Sequence, residues 1–179
     1  MKLPRVDLAD PSKRKALYSM IREMLGIAKG SCWTCTMMTT RKWRLCSKPS
    51  RTARMDGNEN SLFQQMRAKL LTHSHAEDEV LYRRLKASQH EASRKFAEEG
   101  EREHQLVEQQ LQKMLAADDK LSDAWMAQLS ELQKLVDHHV EEEENTGFSC
   151  ARDEFDKEEL ETMGTEFQRR KDELMVNAV

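Results

Sequence analysis

The sequence is poor in residues that break or turn a chain. Six glycines and three prolines in 179 residues, together with only 6% aromatics, argue against a strand-rich fold. Four cysteines (Cys32, Cys35, Cys46 and Cys150) are too few to staple a chain of this size, so a reducing cytoplasm is the expected setting. No apolar run approaches the ~20 residues that a membrane span needs. The opening Met1-Lys2-Leu3-Pro4-Arg5 lacks the apolar stretch of a secretory signal.

What is abundant is charge, at 34%, and helix-forming Glu, Lys, Gln, Leu and Met. The length fits one domain with its own core and a short appendage. Charge is unevenly spread. Residues 1–60 hold 13 Lys/Arg against 5 Asp/Glu, whereas the remainder holds 16 against 27. An acidic helical body suits cations and makes nucleic acid an unexpected partner.

Helical patterns run over residues 11–25, 60–86, 89–117, 122–145 and 154–175. Ser122 serves as an N-cap, and Asn145-Thr146-Gly147 reads as a stop. Residues 27–57 lack a helical period and carry one acidic residue, Asp56. They read as an irregular segment. Cys32-Trp33-Thr34-Cys35 has the spacing of a redox or zinc pair, but lacks the strand–helix context of one and the further ligands of the other. Unpaired thiols in a loop are the simpler reading. The basic run Arg41–Arg54 carries no recognisable nucleic-acid motif.

The informative residues are polar ones on apolar stripes, taking about 100° per residue. In the helix from residue 60 the stripe is Phe63, Met66, Leu70, Val80 and Leu81, and His73 and Glu77 fall on it; His75 and Glu79 point away. In the next, His104 sits at the centre of Ala97, Val107, Leu111 and Leu115, with Glu108 at the edge. In the third, His139 and Glu143 continue Trp125, Leu129, Leu132 and Val136, while His138 and Glu142 lie off centre. His90 opens its helix and is expected to be exposed and unpartnered.

Three consecutive helices thus each direct a His, and four residues on a Glu, toward the core. Buried carboxylates need compensation, and a metal ion supplies it. Imidazole and carboxylate without thiolate suit iron or manganese better than structural zinc. A lone His on an apolar face is more often a packed core residue; three in register favour metal.

Thr72-His73-Ser74-His75-Ala76-Glu77 running into Val80-Leu81-Tyr82, Glu103-His104, and His138-His139-Val140 with Glu142-Glu143 together resemble the hemerythrin-like HHE cation-binding domains. The resemblance spans about residues 60–175. It implies an all-α, up-and-down four-helix bundle with an additional C-terminal helix and an irregular N-terminal segment, divided as residues 1–59 and 60–179. It also implies a non-haem di-iron centre with His73, Glu77, His104, His139 and Glu143 as ligands. Glu77 and Glu143 would bridge, Glu108 would be an additional candidate, and Val80, Leu81, Val107, Leu111, Leu129, Leu132 and Val136 would exclude water. The family's first helix supplies a further His, and this chain has none before His73. Either the site keeps one open or thiol-supplied position and can hold a single ion only, or residues 24–55 come from a shifted reading frame.

The function implied is binding or sensing of O₂, NO or peroxide, or handling of iron and oxidative stress, by a monomer or homodimer. Binding rather than turnover is the expectation. A di-iron enzyme acting on oxidants or on damaged iron–sulfur clusters, and a metal-free helical interaction module, are the two alternatives.

Overall fold

The computed structural model describes residues 59–177 apart from Leu121. The expected helix over residues 11–25, the segment 27–57 with its cysteine pair, and the basic run lie outside the described residues. Among those described, every regular element is helical, as the scarcity of breakers requires.

The described residues form four helical rods joined by short loops. The first comprises α1 (Glu59–Glu77), a π-helical turn (Asp78–Tyr82) and α2 (Arg83–Lys86). The second is α3 (Glu91–Leu115). The third comprises α4 (Asp123–Glu142), a second π-helical turn (Glu143–Gly147) and α5 (Phe148–Glu154). The fourth is α6 (Lys157–Asn177). The second rod packs along the third, and α6 packs along α1.

The rod starts follow from local chemistry. Ser122 caps α4 by accepting a hydrogen bond from the Trp125 backbone amide at 3.1 Å. Asp156 and Glu159 cap α6 reciprocally: each side chain accepts from the other's backbone N–H, at 2.9 and 2.8 Å. That box sets the start of α6 just after residue 156 rather than at 154.

Asn145-Thr146-Gly147 does not stop the third rod, contrary to the sequence expectation. The chain passes through it as a π turn and continues to Glu154. Phe148, Cys150 and Ala151 are buried beyond it, and their burial outweighs the roughly 1 kcal/mol that a helical glycine costs. Gly147 is also needed there, because a Cβ would stand 2.5 Å from the Phe96 ring.

Among the described residues two apolar clusters form the core. One gathers Phe63, Met66, Leu70, Val107, Leu111, Met114, Trp125, Leu129, Leu132 and Val136. The other gathers Val80, Leu81, Tyr82, Leu85, Phe96, Phe148, Met163, Phe167 and their neighbours. Along each of the first three rods the changeover from one cluster to the other falls at the stripe histidines and glutamates. The seven aliphatic residues expected to exclude water are all buried, and they divide between the two clusters.

Candidate metal centre

His73, Glu77, His104, His139 and Glu143 are all buried, and Glu77 and Glu143 are each only 1% exposed. Their donor atoms fall into two groups, Glu77–His104–His139 and His73–Glu77–Glu143, each within a span of 4.8 Å. Glu77 belongs to both. Its Oε2 faces the Nε2 atoms of His104, His73 and His139 at 3.5, 3.6 and 3.7 Å. His139 Nε2 also lies 4.0 Å from Glu143 Oε2.

These separations are too long for hydrogen bonds. Accordingly both oxygens of Glu77 and both of Glu143 are buried with no hydrogen-bond partner, as is Nδ1 of His73. Donors that each stand about 2.0–2.2 Å from a common ion are themselves about 3–3.5 Å apart. The spacing around Glu77, 3.5–3.7 Å, is close to that of ligands around a cation and longer than that of a hydrogen-bonded network.

The outer nitrogens are organised differently. His104 Nδ1–H donates to Asp78 Oδ1 at 2.7 Å, and His139 Nδ1–H donates to Glu103 Oε2 at 2.8 Å. Each carboxylate fixes the tautomer, so that Nε2 carries the lone pair when the ring is neutral. Those two Nε2 atoms face each other at 3.1 Å. Two lone pairs directed at each other and at a carboxylate call for a positive charge between them. The residues present fit a metal cation.

Electrostatics without a cation show the same demand. Burial alone would lower His104, but its hydrogen bond to Asp78 and the negative charge of the nearby Glu77 raise it to about 9. His139 is raised likewise, against burial, by Glu103 and Glu77. Burial drives His73 down to about 4 despite the attraction of Glu77. Burial and the adjacent Glu77 push Glu143 well above the usual carboxylate range. Glu77, against the same burial penalty, is held below that range by His104 and His139.

The π turns begin at the site. The first opens immediately after Glu77, and the second opens on Glu143 itself. Such one-turn expansions re-aim side chains and recur at functional sites. Arg84 of α2 donates to the carbonyl of Val80 in the first turn at 2.8 Å and to Glu166 of α6, also at 2.8 Å.

The sequence reading missed Asp78, Glu103, Tyr82 and Phe167. Tyr82 stacks on His104, and Phe167 meets His73 edge-on with centroids 5.4 Å apart. The available signal was position: Asp78 and Glu103 each stand one residue from a stripe donor, on the flank that faces the neighbouring rod. Glu108 lies outside both groups. It is half-buried and lines a recess of about 250 Å³ with His75, Asp78 and His104. His75 and His138 are exposed. His90 is exposed as expected but not unpartnered, since its Nδ1 lies 2.8 Å from Glu154 Oε1.

A helical bundle with imidazoles and carboxylates turned inward defines a cation-binding protein. Residues 54–151 match the hemerythrin HHE cation binding domain, and the chain belongs to that family. No curated protein and no solved structure matches it. No helix among the described residues is long and apolar enough to cross a membrane.

Proposed function

We propose that this chain is a non-haem iron protein of the di-iron type that binds O₂, NO or peroxide, with His73, Glu77, His104, His139 and Glu143 as its ligands. One observation carries the reading. Three imidazole Nε2 atoms are directed at a single carboxylate oxygen at 3.5–3.7 Å, in a layer between two apolar clusters where the Glu77 and Glu143 carboxylates have no hydrogen-bond partner.

The donor chemistry supports iron. Imidazole with carboxylate, and no thiolate in either group, matches the preference of iron rather than that of structural zinc. Bound iron would supply one-electron redox chemistry and an exchangeable coordination position. The residues do the rest. Glu77, common to both groups, is suited to bridge, and Glu143 is the second candidate bridge. Asp78 and Glu103 hold His104 and His139 with Nε2 inward. The aliphatic residues on either side keep bulk water from the donors.

Metal analysis of the purified chain, alongside its ultraviolet–visible spectrum, tests the proposal. Iron bound in proportion to protein, with charge-transfer bands that change on adding NO or peroxide, is the expected result. Steady-state consumption of peroxide or NO would make the chain an enzyme rather than a binder. Absence of any metal after anaerobic incubation with ferrous iron would overturn the assignment and leave a helical interaction module.

A further inference from the structure

The two donor groups differ in composition. Glu77–His104–His139 offers two imidazoles and one carboxylate, whereas His73–Glu77–Glu143 offers one imidazole and two carboxylates. They also differ in support. His104 and His139 each have the outer ring nitrogen tied to a carboxylate at 2.7 and 2.8 Å. The corresponding nitrogen of His73 is buried without a partner, and that ring packs in a T-shaped contact with the apolar ring of Phe167. Both Glu143 oxygens are likewise unsupported. Outer hydrogen bonds of this kind orient a ligand and make it more basic, and losing one typically costs about 10–100-fold in metal affinity.

The rest of the chain cannot even out the imidazole count. Six histidines are present in the whole sequence, and none precedes His73. Of the three outside the two groups, His75 is exposed, His90 is bound to Glu154, and His138 is exposed with its Nε2 at 3.2 Å from Glu103.

We infer that the two positions hold metal unequally. Glu77–His104–His139 keeps a resident iron ion. His73–Glu77–Glu143 takes an exchangeable divalent cation and, being carboxylate-rich, accepts manganese as well as iron. The inference rests on the ligand assignment proposed above. Occupancy of the second position then follows the free cation concentration while the first stays filled, which is the behaviour of a metal-responsive protein.

The test uses the full chain, stripped by chelator and titrated anaerobically with Fe²⁺, then with Mn²⁺ followed by the electron paramagnetic resonance of the free ion. The first Fe²⁺ is expected to bind about 10–100-fold more tightly than the second. A chain carrying one Fe²⁺ should still take up one Mn²⁺, and a chelator should then remove the manganese before the iron. His73→Gln should abolish the second equivalent alone, whereas His104→Gln should weaken the first. Two equivalents of equal affinity, refusal of Mn²⁺ after the first Fe²⁺, or loss of the first equivalent in His73→Gln would overturn the inference while leaving the iron-binding reading intact. Failure to bind either ion would overturn both. The wild-type titration decides the matter without relying on the folding of either variant.

Discussion

The ring of Tyr82 lies nearly flat against that of His104, with centroids 5.3 Å apart and planes 20° from parallel. Its far edge occupies space that only a glycine leaves. A Cβ on Gly100 would stand 2.5–2.6 Å from the Tyr82 hydroxyl, Cζ and Cε2. The ring cannot yield, because it is fully buried and also meets Phe96 edge-on at 5.7 Å.

Gly100→Ala is therefore expected to destabilise the protein. Better helix propensity would contribute about 1 kcal/mol, but overpacking against an immobile ring costs about 1–3 kcal/mol. A lower thermal midpoint, together with reduced metal content from a displaced His104, is the expected outcome. An alanine variant as stable as the parent would show that Tyr82 has room to move.

Glu143→Gln should change sign with the metal. In the metal-free chain the substitution removes one of two adjacent buried carboxyls and so should raise stability, on the order of 1–3 kcal/mol. With iron present it removes a carboxylate proposed to bind the metal, so the stabilisation that bound metal gives should shrink. Thermal melts with and without iron read both effects. Equal shifts in the two conditions would remove Glu143 from the metal's surroundings.

Stability of the metal-free chain should fall between about pH 6.5 and 9. The folded value of His104, about 9, lies above its ordinary 6.5, so the folded state holds more protons across that window. Its contribution is complete below 6.5 and is lost as pH rises through 9. His139 and Glu143 are also raised and act in the same direction. Denaturant titrations at several pH values should show the decline, and His104→Gln should flatten it. A parent protein with constant stability across that range would contradict the Asp78–His104–Glu77 arrangement.

Two kinds of contact attach α6 to the first rod, and they should not be equal. Arg170 donates to both oxygens of Glu79 at 2.6 and 3.0 Å, but the pair is solvent-exposed in part, and such pairs contribute little to stability. Phe167 is 3% exposed and lies against His73; its truncation to alanine should cost about 3–5 kcal/mol. Paired urea unfolding of Arg170→Ala and Phe167→Ala measures the ratio. A larger loss from Arg170→Ala would mean that charge, not packing, seats the helix.

The rods and the inward donors were legible because they rest on one periodicity. His73, Glu77, His104, His139 and Glu143 fall on apolar stripes at about 100° per residue, and burial follows. The π turns were not legible, since a one-residue expansion leaves helix propensity unchanged. Asn145-Thr146-Gly147 misled for a related reason: the glycine is there to admit Phe96, a contact between residues far apart in sequence. Asp78 and Glu103 were hidden by abundance, because a carboxylate that orients a histidine looks like any other in a chain with 32 acidic residues. The His90–Glu154 pair spans 64 positions, and nothing local to either residue announces it.

The division of the apolar interior into two clusters has a consequence for cooperativity. Each cluster is expected to open as a unit of its own, and the layer between them gives little cohesion while the Glu77 and Glu143 carboxylates and Nδ1 of His73 lack partners. An ion in that layer would rivet three rods at their waist. Without it, amide exchange around His73 to Leu81 should proceed by local opening faster than at either end. With it, the two halves should melt as one unit, so that the metal sets how many transitions the protein has as well as how stable it is.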